Sequence, residues 1–337
     1  MEAQSEDNAP NALDRFGREN PETQRSDRDR GSLSMAGTVI VHNPESGSGS
    51  HTETVRTRAD LCGYALEQSE QAGDVVALTR EAAEAGYSTI VAAGGDGTVN
   101  EVVQGIDRAD AFDDVTLGIL PLGTGNNFAK QIGITDIETA FSALEDGARR
   151  TIDIGMATDR PFVNSCVAGL TAESVSGTSG ESKSRIGGLA YVLTTLRTVT
   201  EFDPLHLTVD SGMGAGEPPT WSGEALCVMV GNGRQFAADG TTQANMEDGL
   251  FEVAIVKDVP AIDLMSDAVL ERLFGQDSAH IDRFQAASVD IRGHSADPVR
   301  FTVDGDIIQH HELDLSVRSN VLQLVVGEEY DPVPMDA

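Results

Sequence analysis

The sequence predicts an α/β domain built on a doubly wound parallel sheet, followed by an antiparallel β-sandwich domain. Three observations carry that prediction. From about residue 37 to 150, near-continuous apolar runs alternate with amphipathic segments. Strands buried on both faces read as such runs, and their alternation with helices argues a parallel sheet covered on both sides. From about residue 151 the runs become short and alternating, separated by Gly, Asp and Pro, as in a sandwich. At 337 residues the chain has room for both.

Each element follows in order. Residues 1–36 are polar, with no apolar centre, and read as a disordered arm without a signal peptide. "GTVIVHNP" is a β-branched strand ending in a turn, residues 52–62 are helical, and "YALEQSE" is a second strand. "DVVALTREAAEAG" is an amphipathic helix with Asp74 as its N-cap and Gly86 at its end. "STIVAAGG" and "VTLGILPLG" are buried strands, each leading into a helix, "VNEVVQGI" and "NNFAKQIG". Eight sandwich strands follow, "TIDIGMA", "RPFVNSCVAG", "DPLHLTVD", "GEALCVMVGN", "DGLFEVAIVKD", "ASVDIRG", "PVRFTVDGD" and "HELDLSV". Helical inserts interrupt them at 185–199 and 260–275, and "SGMGAGEPPT" is a hairpin tip. The last run, "NVLQLVVG", fits either domain. The expected division is therefore an arm at 1–36, an α/β domain at 37–150 and a sandwich at 151–317.

Composition excludes several classes. The chain carries 23 basic against 55 acidic residues, a formal charge of −32, spread along its whole length. No basic footprint exists for nucleic acid, and any membrane contact would be mainly apolar. Such a surface suits a salt-adapted protein, because at roughly 1 M salt the Debye length is about 3 Å and self-repulsion is screened. Cys62, Cys166 and Cys227 are far apart, as in a reducing cytoplasm. The seven histidines show no ligand spacing.

Four stretches bear chemistry. Asn43-Pro44-Glu45-Ser46-Gly47 follows the first strand, at the carboxyl edge where open α/β sheets bind ligands. Gly94-Gly95-Asp96-Gly97-Thr98-Val99-Asn100-Glu101 ends a buried strand and opens a helix. A tight turn with an N-cap does not account for three glycines around an acid. The stretch is neither a Walker A loop nor GxGxxG. "LPLGTGNNFAK" repeats the strand–glycine turn–helix design, with Thr124 between two glycines and Asn126 or Asn127 as a simple N-cap. "FTVDGDII" sets Asp304 and Asp306 around Gly305, and "NMEDGLFEV" holds another Asp-Gly turn.

Taken together and in this order, NPxSGxG, GGDGTxNE, PxGTxNxFA, a later DG turn and a closing VDG-acid resemble the diacylglycerol kinase catalytic-domain family over about residues 37–328. That family includes bacterial lipid kinases, sphingosine kinases and ceramide kinases. The resemblance implies a nucleotide domain related to NAD kinases and phosphofructokinases, a β-sandwich, an active site between them, and a chain end, about 318–330, that returns to the first domain. It implies ATP at Asn43, Ser69, Gly94, Gly95, Asp96, Gly97, Thr98, Val99, Asn100 and Thr124. It also implies Asp306 as proton acceptor, and Mg²⁺ at Asp248 with backbone oxygens of Asn245 and Leu250. Two positions depart from the family pattern: Asn127 stands where an Asp is usual, and Asp306 where a Glu is usual.

The chemistry agrees with the resemblance. Phosphoryl transfer needs a polyphosphate cradle, a divalent ion and a base for the acceptor hydroxyl, and either Asp96 or Asp306 could take that proton. The expected activity is ATP- and Mg²⁺-dependent phosphorylation of a lipid alcohol, such as a diacylglycerol, a dialkylglycerol or a long-chain base. The setting expected is cytoplasmic, with transient contact at the inner membrane face, no nucleic acid, and a homodimer compatible. An NAD kinase-like enzyme or a non-catalytic nucleotide or lipid sensor are the competing readings.

Overall fold

Val39, Ile40 and Val41 carry no polar face, and in the computed structural model all three lie fully buried in β1 (Met35–His42). The structure describes residues 35–47, 51–169, 204–212, 220–237, 240–257 and 280–334. A strand buried on both faces needs cover on both, and the crossovers supply it. β1 leads through α1 (Thr52–Cys62) to β2 (Ala65–Gln68) on one side. α2 (Asp74–Glu84) then returns the chain to β3 (Tyr87–Gly94) on the other side of β1. α3 (Asp96–Arg108) continues to β4 (Thr116–Pro121), giving the parallel order β2-β1-β3-β4. Right-handed crossovers put α1 on one face and α2 and α3 on the other. α2 and α3 lie close because Gly105 has no side chain; a Cβ there would fall 2.5 Å from Thr79.

After a short α4 (Asn127–Gln131), α5 (Ile137–Asp146) packs beside α1. Arg58 of α1 sits over the Phe141 ring and pairs with Glu138. The sequence reading did not identify α5, although Asp136 and Thr139 form its reciprocal N-terminal cap. Two expected helix starts are corrected. Gly73, at φ +87°, holds the N-cap of α2, while Asp74 is the first helical residue and turns its carboxylate back to the N–H groups of Glu70 and Gln71. α3 begins at Asp96, three residues before the expected apolar start at Val99, because the glycine turn is itself the helix's entry.

The rest is β. Its strands are β5 (Ala148–Ala157), β6 (Arg160–Phe162), β7 (Ser165–Ala168), β8 (Leu205–Ser211), β9 (Thr220–Gly231), β10 (Arg234–Ala237), β11 (Gly240–Gln243), β12 (Phe251–Lys257), β13 (Ile281–Ala286), β14 (Ser288–Gly293), β15 (Val299–Val303), β16 (Asp306–His310) and β17 (Glu312–Val326). Their mutual pairings are antiparallel. They enclose a second apolar core in which the rings of Phe162 and Phe251 stack at 5.7 Å. The single run expected at 160–169 is two strands, β6 and β7, separated by a turn at Val163 and Asn164. The expected arm as far as residue 34 and both helical inserts lie outside the described residues, as does most of the hairpin tip, while Met35 and Ala36, expected in the arm, begin β1.

β17 ties the two parts. It pairs with β14 at its start and with β5 along both halves, and Gln323 and Leu324 then join Thr116 and Leu117 of β4 in parallel. "NVLQLVVG" is thus the continuation of the strand begun by "HELDLSV". The register slips between Arg318 and Leu322, where the buried carboxylate of Asp153 accepts the N–H groups of Asn320 and Gly249, each at 2.7 Å.

Candidate active site

Strand order reverses between β1 and β3, and the loops beyond their carboxyl ends, with the loop after β4, meet at one edge. Glycines let them meet. A Cβ on Gly123 would fall 2.5 Å from the Cα of Gly95, and one on Gly47, at φ +64°, would fall 2.2 Å from the carbonyl oxygen of Leu122. The carbonyl of Gly94 accepts the N–H groups of both Leu122 and Gly123. Gly94 must also lack a side chain because the Thr98 hydroxyl fills that space, 2.2 Å from where a Cβ would stand. Thr98 is buried, and its Oγ1 lies 3.3 Å from Ser46 Oγ and 3.5 Å from Asn43 Nδ2.

The loop after β3 opens α3, whose first-turn N–H groups at Asp96, Gly97 and Thr98 have no partner within the helix. Gly97 is exposed, with open space above it. Asn100 is buried, and its Nδ2 has no hydrogen-bond partner among the described residues. Orphaned donors at a helix N-terminus behind a glycine turn fit a polyphosphate.

Asp96 points neither outward nor into that cradle. Its carboxylate accepts the backbone N–H of Asn127 at 3.0 Å and of Phe128 at 2.9 Å, so it caps α4 from another loop. Asn126 stands at the α4 cap position, at φ +49°, without capping it; its side chain closes a ring with the backbone of Gly123 instead. The expected local cap by Asn126 or Asn127 is therefore replaced by a long-range one.

The β part faces this edge with its own polar turns. Asp304 and Gly305 adopt φ +45° and +101° in the two-residue turn between β15 and β16. The Asp304 carboxylate accepts three backbone N–H groups, from Val163 at 2.7 Å, Asn164 at 3.0 Å and Ser165 at 2.8 Å. Burial pushes its acid up to about 6 against those hydrogen bonds, and the charge of Asp96 adds to the rise. The same turn holds the β9–β10 connection: Val163 and Asn164 accept the N–H groups of Gly233 and Asn232 through their carbonyls. Arg234 follows. Burial lowers its basicity, while the charges of Asp96 and then Asp304 raise it. Neither Asp304 nor Arg234 was assigned a role from sequence. "GNGR" looked like a plain hairpin turn, and only the fold brings it opposite Asp96.

The other expected residues fall as follows. Ser69 follows β2 at the same edge, buried against the His42 carbonyl, Val99 faces the core, and Thr124 is exposed at the loop tip. Asp306 is exposed and pairs with Arg160 of β6. Its charge reaches Glu101 of α3, whose acid is raised by burial first and by Asp306 second. Asn245 and Asp248 lie in the turn before β12, where their side chains accept the N–H groups of Glu247 and Leu250. The charges of Asp248 and Glu247 both bear on buried Asp153, so oxygen ligands and negative charge gather there, as a hard cation requires. Among the described residues no three His, Cys, Asp or Glu side chains converge on one point. Cys166 and Cys227 are buried, and burial pushes the Cys227 thiol up to about 12. Among the described residues no helix is long and apolar enough to cross a membrane.

Comparison with known proteins covers most of the described chain. Residues 37–157 match the diacylglycerol kinase catalytic domain, and residues 164–326 match the YegS C-terminal NAD kinase beta sandwich-like domain. A "Probable lipid kinase YegS-like" of Pseudomonas aeruginosa is 31% identical over 290 residues, 85% of this chain and 92% of that protein. One from Alcanivorax borkumensis is 30% identical over 305 residues, 88% of this chain and 98% of its own. Two crystal structures from Bacillus anthracis str. Sterne share the fold. One has a TM-score of 0.70 at 21% identity, covering 90% of this chain and 99% of its own. The other, described as a diacylglycerol kinase, has a TM-score of 0.66 at 18% identity, covering 88% and 98%.

Proposed function

Because the chain belongs to the diacylglycerol kinase catalytic-domain family, in its YegS-like lipid kinase branch, we propose that it transfers the γ-phosphate of ATP to a hydroxyl of a lipid alcohol. The observation that carries this reading is the convergence of three glycine-bearing loops, after β1, β3 and β4, on an edge faced by Asp304 and Arg234. The loops hold the polyphosphate through the first-turn N–H groups of α3, with Asn43, Ser69, Asn100 and Thr124 around it. Asp306 accepts the proton of the attacking hydroxyl as its oxygen bonds to phosphorus and the bond to the ADP oxygen breaks. Arg160 orients that carboxylate. Asp96 fixes the β3 and β4 loops against each other, so the cradle keeps its shape. The turn at Asn245, Asp248 and Leu250 would hold Mg²⁺, which offsets phosphate charge or steadies the adjoining β17 bulge.

The acceptor class is tested with γ-labelled ATP, MgCl₂ and molar KCl, offering dialkylglycerol, diacylglycerol, a long-chain base and NAD in parallel. Label in a lipid is the expected result. Label in NADP alone, or ATP binding without any product, contradicts the proposal.

A further inference from the structure

The backbone around Arg234 is tightly held, although among the described residues its buried Nε has no partner. The chain turns so tightly before it that a Cβ on Gly231 would lie 1.8 Å from the Arg234 carbonyl oxygen. Asn232 is buried, and its Nδ2 donates to the carbonyls of Asp153 and Val163. Gly233 packs on Phe128, 3.3 Å from its ring for a Cβ placed there, and the N–H of Phe128 is the one that Asp96 accepts. One backbone unit, residues 163–165, thus fixes both the Asp304 carboxylate and the start of β10.

The guanidinium feels both Asp96 and Asp304. Neither of them needs it. Asp96 already takes the N–H groups of Asn127 and Phe128, and Asp304 takes three more. Among the described residues the buried Nε of Arg234 has no partner. An arginine placed only to balance charge would close a fork on one carboxylate, since bidentate pairing is its strong geometry. This one is kept off both, with donors to spare, opposite a glycine cradle. Asp96 and Asp304 by themselves repel an anion, so a phosphate entering here needs this cation.

We propose that Arg234 is the group that receives the terminal phosphoryl oxygens of the nucleotide, bridging them between the β3 loop and the Asp304 turn. The inference rests on the phosphotransfer reading. It assigns to the β part a direct role in holding the transferred group, as well as in presenting the acceptor.

Calorimetric titration of the full chain with ATP and with ADP, in MgCl₂ and KCl, tests it for wild type, Arg234→Gln and Arg234→Lys, with thermal unfolding as the folding control. Wild type should prefer ATP. Arg234→Gln should weaken ATP by about tenfold or more, the loss of a charge-assisted pair, and leave ADP within about twofold. Arg234→Lys, which keeps the charge without the fork, should fall between. Equal losses for both nucleotides, or no loss, in folded variants would overturn the role while leaving the kinase reading intact. If Arg234→Gln does not fold, Arg234→Lys decides, and an unchanged ATP preference in it overturns the role. A wild type that binds neither nucleotide removes the kinase reading and this role together.

Discussion

The two sides of the candidate site are built by different means. On the α/β side, backbone meets backbone: the loops after β1, β3 and β4 approach so closely that Gly47, Gly94 and Gly123 leave no room for a methyl group. On the β side, side chains reach across sequence to hold turns, as Asp304 does with residues 163–165, some 140 positions away. The first design depends on what is absent from a few adjacent positions. The second depends on acceptors and donors that meet only after two strands have paired. A glycine cradle therefore tolerates no added atom, whereas the polar turns lose strength in steps as acceptors are removed.

The sharpest way to break this contrast is Gly123→Ala. Its new Cβ meets the Cα of Gly95, backbone that cannot rotate away, so the β3 and β4 loops must part. We expect nucleotide binding to fall by about 100-fold, with a stability loss of about 1–3 kcal/mol, read by ATP titration and thermal unfolding. Asp96→Asn comes next. It leaves one carbonyl oxygen for two backbone N–H groups, so α4 loses part of its cap at a cost of about 1 kcal/mol. Phosphoryl transfer should fall by about tenfold while a cooperative unfolding transition remains; near-normal turnover would show that the α4 cap is dispensable to the cradle.

Asp304→Asn probes the other side through pH. The folded protein binds the Asp304 proton more tightly than the unfolded chain does, with an acid near 6 against an ordinary value near 3.8. Its contribution to stability is thus fully present below about pH 4 and is lost as pH rises through about 6. The stability difference between wild type and Asp304→Asn should fall by about 1–3 kcal/mol across that window and level off above it. A flat difference from pH 4 to 7 would mean that Asp304 is not withdrawn from water.

That asymmetry explains what could be read from the sequence. "GGDGTVNE" and "GTGNNFA" announce themselves because a strand, a glycine turn and a helix start are contiguous, and both fold as the pattern implies. α5 escaped because its signal, Asp136 with Thr139, sits among ordinary polar residues. The role of Asp96 was not legible either: its partners, Asn127 and Phe128, lie 31 and 32 residues away. Asp304 lies in the legible "VDGD" turn but its partners at 163–165 do not, and Arg234, the first residue of β10, carries no local motif. The register of β6, β7, β9 and β15 alone makes them neighbours. Likewise "NVLQLVVG" could not be assigned to either part, because β17 belongs to both.

The account turns on one site performing transfer to a lipid hydroxyl with Asp306 as the proton acceptor. Its most direct test is single-turnover transfer from γ-labelled ATP to dialkylglycerol or diacylglycerol by wild type and Asp306→Asn, with ATP affinity measured on the same samples. The account predicts labelled lipid from wild type. It also predicts a transfer rate lowered by about 100-fold or more in the variant, within the range a positioned base supplies, with ATP affinity unchanged. Wild-type transfer that survives in Asp306→Asn, or a wild type that binds ATP and labels no lipid, would contradict it.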